Sequence, residues 1–242
     1  GEKSVELPVL KRRFLGEAPV EEDGSFNIHV PADVPIELQL LDSDGVALES
    51  CAWIWVKNNE PRGCIGCHED PELAPENRLV QAATKPSVEL TLPPERRRAT
   101  DFVRHVMPIV QSRCLACHGP GGASALLEAP ESNTGVHPLY AGLLRSAEPG
   151  GEAASGGKYV TPGRARTSRL IWALLGRNIS QPWDGTLQAG AVPGVQSHTA
   201  GLLSRDEKRV FIEWIDTGAH WDLSLTRGRP TEGTLKGSKS PQ

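Results

Sequence analysis

Two stretches, "PRGCIGCHEDPELAPEN" (61–77) and "QSRCLACHGPGG" (111–122), each carry Cys-x-x-Cys-His, and together they use four of the chain's five cysteines. No other feature limits so tightly what the chain can fold around. At this composition one such motif arises by chance in roughly three chains per thousand, and two in about one per hundred thousand. The chemistry asks for two thiols and one imidazole in fixed proximity. Each cysteine adds across a haem vinyl group to give a thioether, and the adjoining histidine takes the proximal side of the iron. Ile65-Gly66 and Leu115-Ala116, between the cysteines, are small or apolar, as suits a segment lying against a porphyrin. A zinc site leaves both histidines unexplained, and the 46 residues (68 to 113) between Cys67 and Cys114 exceed the spacing of zinc knuckles. A thioredoxin-type dithiol calls for a single motif in a βαβ setting. The motifs are read as two covalently bound haem c sites: Cys64, Cys67 and His68 for haem 1, and Cys114, Cys117 and His118 for haem 2.

The function then turns on the other side of each iron. A sixth protein ligand makes an electron carrier, whereas an open position lets a small molecule bind and react. The remaining candidates are His29, His105, His137, His198, His220 and the single methionine, Met107.

Composition bounds the partners. Aromatic residues make up 5% of 242 residues, against 25 Gly and 20 Pro, so the chain is loop-rich and light in core-filling side chains. An embedded macrocycle would supply the missing apolar volume. With a net charge of −4 and no face that gathers basic residues, nucleic acid is not an expected partner. No apolar run is long enough for a transmembrane segment. No signal peptide is visible, but the chain starts "GEKSVELPVL" without Met, so that absence says nothing about compartment.

The first part reads as strands. Phe26, Ile28 and Val30 alternate, then Ile36, Leu38 and Leu40, with Pro31 and Pro35 as breaks and "DSDG" (42–45) as a turn. "CAWIWVK" (51–57) puts Trp53 and Trp55 on one face, Ile54 and Val56 on the other. Together these suggest a small antiparallel β-sandwich. After a Pro-rich connector, Thr100 is placed to cap a helix carrying Phe102, Val103, Val106, Ile109 and Val110 into Cys114, bent or reset at Pro108. "TSRLIWALLGRN" reads as a short helix ending near Gly176 and Asn178, and 148–158 as a flexible loop. In "LSRDEKRVFIEWIDTGAHW", Ser204 and Glu207 form a capping box, Val210, Phe211, Trp214 and Ile215 line one face, and Gly218 stops the helix.

Two resemblances follow from these residues. "FVRHVMPIVQSRCLACHGPGG", "YVTPGRARTSRLIW" and "LLSRDEKRVFIEWIDTGAHWD" together resemble the cytochrome c domain common in planctomycete-type proteins. The upstream "EDGSFNIHVPADVPIELQLLDSDGVALES", through "WIWV" to "RGCIGCHEDPELAPEN", resembles the C-terminal region of the hydrazine synthase alpha subunit family. The resemblance covers about residues 20 to 222. It implies an α+β chain: a small N-terminal antiparallel β-sandwich with haem 1 (1–80), a linker (81–99), a mainly α-helical cytochrome c domain with haem 2 (100–224) and a flexible tail (225–242).

In the family's cytochrome domain a Met-Pro-Pro segment before the last helix supplies the distal methionine. Here that region reads "VPGVQSHTAGLLSRDE", with His198 in its place. The resemblance thus implies bis-histidine ligation of haem 2 by His118 and His198, with a lowered reduction potential. For haem 1 the distal candidates are His105 first, on the helix leading into the second motif, and His29 next, on a strand. His137 and His220 follow, with "GAHW" most simply an exposed residue after a helix end, and an open or water-bound iron is the remaining choice. Glu69 and Asp70 stand beside His68, either as orienting or acid–base groups or as plain solvated carboxylates. Cys51, the odd thiol, reads as a small buried side chain, with an intermolecular bridge as the alternative.

The family's alpha subunit carries a further large propeller domain and works in a multi-subunit complex, so hydrazine synthesis is not carried over. The first expectation is a dihaem c-type cytochrome that transfers electrons between redox proteins. Others are a haem enzyme with an open haem 1 acting on a small nitrogen or oxygen species and haem 2 as relay, or a redox module of a larger assembly. Because covalent haem is fitted outside the cytoplasm, a periplasmic or otherwise exported location is expected. The partners are other cytochromes, with room for a homo-oligomer or a larger complex.

Overall fold

The computed structural model describes residues 12–64, 79–90, 99–119, 136–144, 159–181 and 202–223. These form a mixed α+β chain whose helices pack around one core, with two small sheets attached.

The strands begin with β1 (Ile28–His29), β2 (Ile36–Leu41) and β3 (Ala47–Ile54). Strands β2 and β3 pair antiparallel, with Leu38 opposite Cys51 and Leu40 opposite Glu49. The expected turn joins them. Asp42 Oδ1 accepts from the backbone N–H groups of Asp44 (2.9 Å) and Val46 (3.0 Å), and Gly45 takes φ 82°, which a side chain would oppose. Strand β4 (Val88–Glu89) pairs with β1 in parallel. Among the described residues the strands therefore make two two-stranded sheets in place of the expected antiparallel sandwich. The reason lies in the segment expected to be linker. Val88–Glu89 returns to β1 and takes its edge, so β1 does not join the hairpin. Cys51 is half-buried rather than buried, because its hairpin is covered incompletely.

The helical run from 102 to 118 is not uniform. Two π turns, Phe102–Val106 and Val110–Cys114, alternate with α1 (Met107–Ile109) and α2 (Leu115–His118). Its most buried residues, Phe102, Val106 and Val110, recur every four positions, a longer step than the 3.6 of an α-helix. The wider π turns absorb that mismatch and also surround Pro108, which has no N–H to give. The start is capped by Asp101 and not by Thr100. Asp101 Oδ1 accepts from Arg104 N (2.8 Å), while the Thr100 hydroxyl donates to the buried Glu213 (2.6 Å).

Helices α3 (Pro138–Leu144), α4 (Arg169–Leu175) and α5 (Arg205–Asp216) complete the body. Helix α4 ends on Gly176 in the left-handed region at φ 70°, as its sequence implies. Helix α5 has the expected capping box: Ser204 Oγ accepts from Glu207 N (3.1 Å), and Glu207 Oε2 accepts from Ser204 N (2.7 Å). Its C-terminal half is buried through Trp214, Ile215 and Asp216. An aromatic group of Phe102, Tyr140, Trp214 and Trp221 fills the centre, with ring centroids from 5.1 to 6.2 Å apart.

After α5 the chain reverses through Gly218 (φ 115°) and Ala219 (φ 52°). This folds His220 into the core, 4% exposed, with its carbonyl accepting from Phe102 N (2.8 Å) and Trp214 Nε1 (2.9 Å). The expectation of an exposed His220 is thereby corrected. The hairpin is tied to the same body by Asp216, whose carboxylate accepts from Ala47 N (3.1 Å) and Ala165 N (2.7 Å). No helix among the described residues is long and apolar enough to cross a membrane.

Candidate functional site

The second Cys-x-x-Cys-His motif lies on a single helical turn. Cys114 is the residue that precedes α2, and Cys117 and His118 close that helix. Positions i, i+3 and i+4 of a helix share a face, so two thiols and one imidazole point from one side of the backbone. Gly119 ends the turn by donating its N–H to Leu115 O at 2.8 Å. A Cβ on Gly119 would lie 2.5 Å from that oxygen, so only glycine fits there. Cys114 is half-buried against the core, His118 is half-buried, and Cys117 and Leu115 are exposed.

Both cysteines are free thiols. Burial pushes the Cys114 thiol up, and the nearby Cys117 and Glu207 push it further. That is the opposite of what a thiolate ligand to a metal needs. Among the described residues no three His, Cys, Asp or Glu side chains converge as a metal-binding group. Two unlinked thiols and an imidazole beside an exposed leucine are the groups that thioether attachment of a haem uses.

The turn is held from behind. Arg113, just before Cys114, donates Nε to Glu207 Oε1 at 2.8 Å, linking the motif to the capping box of α5. The Glu207 carboxyl is held below its ordinary range, first by the Ser204 N–H and then by Arg113. Nothing local in the sequence announces this link, since the partners lie 94 residues apart.

The first motif is entered from β3. Asp33 N donates to Val56 O (2.8 Å), and the chain then turns at 57–60 with Asn59 at φ 58°. Arg62 Nη1 returns to Trp55 O (3.0 Å), and Cys64 follows as an exposed free thiol. Cys67, His68, Glu69, Asp70 and His198 lie outside the described residues.

The other histidines differ in what holds their rings. His105 Nδ1 accepts from Asp101 N at 3.1 Å, and His137 Nδ1 accepts from Leu139 N at 3.1 Å. In a neutral imidazole used this way the proton sits on Nε2, leaving no lone pair there for an iron. His29 is the reverse case. Its Nδ1 lies against the Glu89 carboxylate across the β1–β4 pair, an acceptor rather than a backbone donor, and both side chains are exposed. Glu89 lies 60 residues from His29 and was not visible as its partner in the sequence. Met107 packs half-buried against the core, as a helix-face residue does.

Comparison with known proteins agrees with this architecture. A family model described as the hydrazine synthase alpha subunit middle domain matches residues 2–69. Hydrazine synthase subunit alpha of Kuenenia stuttgartiensis is 24% identical over 279 aligned positions, covering 88% of this chain and 33% of the relative. The solved Kuenenia stuttgartiensis hydrazine synthase matches with a TM-score of 0.56 at 24% identity, over 79% of this chain and 31% of that one. The chain thus spans about a third of the length of these relatives, and the likeness runs beyond the first motif into the helical body. The resemblance to the hydrazine synthase alpha subunit read from the sequence is borne out as a similarity of this chain to that subunit, the matching family model being its middle domain.

Proposed function

We propose that this chain is the dihaem portion of a redox enzyme built like the hydrazine synthase alpha subunit. One observation carries the reading: Cys114, Cys117 and His118 share one helical face as free thiols and an imidazole. When bound, haem supplies a redox-active iron that exchanges single electrons and, with its distal side open, holds a small nitrogen or oxygen species. Cys64 and Cys67 would anchor the first group above His68. Cys114 and Cys117 would anchor the second between His118 and His198, as the electron relay. Arg113 and Glu207 keep the second attachment turn fixed against α5.

The likeness to a synthase subunit supports this enzyme reading over plain electron carriage. The histidine rings support it too, because Nδ1 of His105 and of His137 is engaged by a backbone N–H and His220 is enclosed by the core. Haem attachment would put the protein in the periplasm or another exported compartment, and the likeness to a synthase subunit supports a part in a larger complex.

The test is the absorption spectrum of the dithionite-reduced protein, with pyridine haemochrome and carbon monoxide. Two haems per chain are expected, with about half of the Soret intensity moving on carbon monoxide. Fewer than two haems would remove the assignment. A Soret band that carbon monoxide leaves unmoved would favour the carrier reading, and His29, whose Nδ1 faces the Glu89 carboxylate, would then be the residue to replace.

A further inference from the structure

The turn that carries Cys114, Cys117 and His118 is met from α5 by an ion pair. Arg113 Nε donates to Glu207 Oε1 at 2.8 Å, and the other carboxylate oxygen accepts from Ser204 N at 2.7 Å. One carboxylate thus spans the first turn of α5 and the residue next to Cys114. Its partners hold it below the ordinary carboxylate range, so it is ionised at neutral pH. Its charge also reaches the motif, because Glu207 is one of the groups that push the Cys114 thiol up. The two members of the pair are not equally placed. The Arg113 side chain is 48% exposed and that of Glu207 20%, so solvent screens the cation more than the anion. Capping does not require the charge, since glutamine at this position closes a capping box as glutamate does.

We infer that Glu207 and Arg113 set the reduction potential of haem 2 as an opposed charge pair, the carboxylate lowering it and the guanidinium raising it. The inference rests on reading Cys114 as a haem-attachment point. The sulfur that Cys114 gives to a thioether lies at the porphyrin rim, so a carboxylate whose field acts on that sulfur acts on the macrocycle. Reduction adds an electron to the haem. A nearby negative charge opposes this and favours ferric iron, and a positive charge does the reverse. Because Glu207 is the less screened member, the pair as a whole holds the potential down. Both groups act through this field and not as ligands.

The experiment compares the haem-loaded protein with Glu207→Gln, Arg113→Gln and the double variant. Pyridine haemochrome counts the haems, and a spectroelectrochemical titration at low ionic strength resolves their midpoints. The midpoint that remains in the Cys114→Ser/Cys117→Ser protein identifies haem 1. The midpoint of haem 2 is expected to rise in Glu207→Gln, to fall in Arg113→Gln and to lie between the two in the double variant. Haem 1 should stay in place, and both shifts should shrink in high salt. A link that served structure alone would loosen the same turn in either variant and move both midpoints in one direction. That result would overturn the charge pair, as would unmoved midpoints with both haems attached or a shift confined to haem 1. Fewer than two haems in the parent protein would instead overturn the dihaem reading. Should Glu207→Gln not mature, Arg113→Lys set against Arg113→Gln decides. Lysine keeps the charge and is expected to keep the parent midpoint, whereas equal shifts for both replacements would refute the proposal.

Discussion

Replacing Asp216 by asparagine should change stability in a way that depends on pH with an unusual sign. The carboxylate is buried at the junction of α5, the β2–β3 hairpin and the turn at 165–167, and its two oxygens accept separately from Ala47 N and Ala165 N. Burial raises its pKa from the ordinary 3.8 to about 6. The two N–H groups work against that shift, and Asp42 and Glu37 add to it. The native state therefore binds this proton more tightly than the unfolded chain does. Its contribution to stability is complete below pH 3.8 and is lost as pH rises through about 6. At 1.36 kcal/mol per pH unit the loss amounts to about 3 kcal/mol.

Asparagine keeps one acceptor oxygen and turns an amide toward the other N–H. One buried donor is left unsatisfied, at a cost of about 1–3 kcal/mol. That cost does not titrate, whereas the parent side chain does. The deficit of Asp216→Asn relative to the parent should therefore be largest near pH 4 and shrink by about 3 kcal/mol by pH 7.5. Urea unfolding followed by far-UV circular dichroism, run on both proteins at the two pH values, measures the difference, and titrations common to both cancel. A deficit that stays constant or grows with pH would refute the reasoning, because it would mean that the two N–H groups outweigh burial.

Other substitutions test separate parts of the architecture. Cys114→Ser/Cys117→Ser should reduce the pyridine haemochrome count from two haems per chain to one, and a count that stays at two would remove the second site. Tyr140→Phe keeps the ring but deletes the hydroxyl that donates to Ala219 O at 2.7 Å, leaving a buried carbonyl with a lost partner; thermal unfolding should show a cost of about 1–3 kcal/mol. Gly176→Ala forces a Cβ into the left-handed region at φ 70° and should cost about 1 kcal/mol in urea unfolding. Arg113→Ala breaks a half-exposed pair with Glu207 and should cost less than about 1 kcal/mol, an effect that disappears in high salt.

How much of this was legible in the sequence follows the range of the interactions. Helix α5 could be read in full because its cap, its buried face and its glycine stop all lie within fifteen residues of one another. The "DSDG" turn and the Gly176 stop were legible for the same reason, and so was the clustering of Cys114, Cys117 and His118, which become neighbours as soon as one helical turn forms. What failed was decided at long range. Thr100 and Asp101 are both good caps; Asp101 took the role because Thr100 is needed by Glu213, 113 residues away. Strand β1 left the expected sandwich because β4 claimed it, and His220 went inward because two successive positive-φ residues turned it back onto Phe102.

The same distinction governs the chemistry of the candidate site. A proximal ligand comes with its motif, but a distal ligand depends on which histidine nitrogen the fold leaves with a lone pair. Sequence position placed His105 ahead of His29, yet the Asp101 N–H occupies Nδ1 of the first, and the Glu89 carboxylate faces Nδ1 of the second. Ordering the candidates by proximity to a motif leaves these contacts out of account. Which nitrogen each ring offers is set by backbone donors and paired strands as well as by position along the chain.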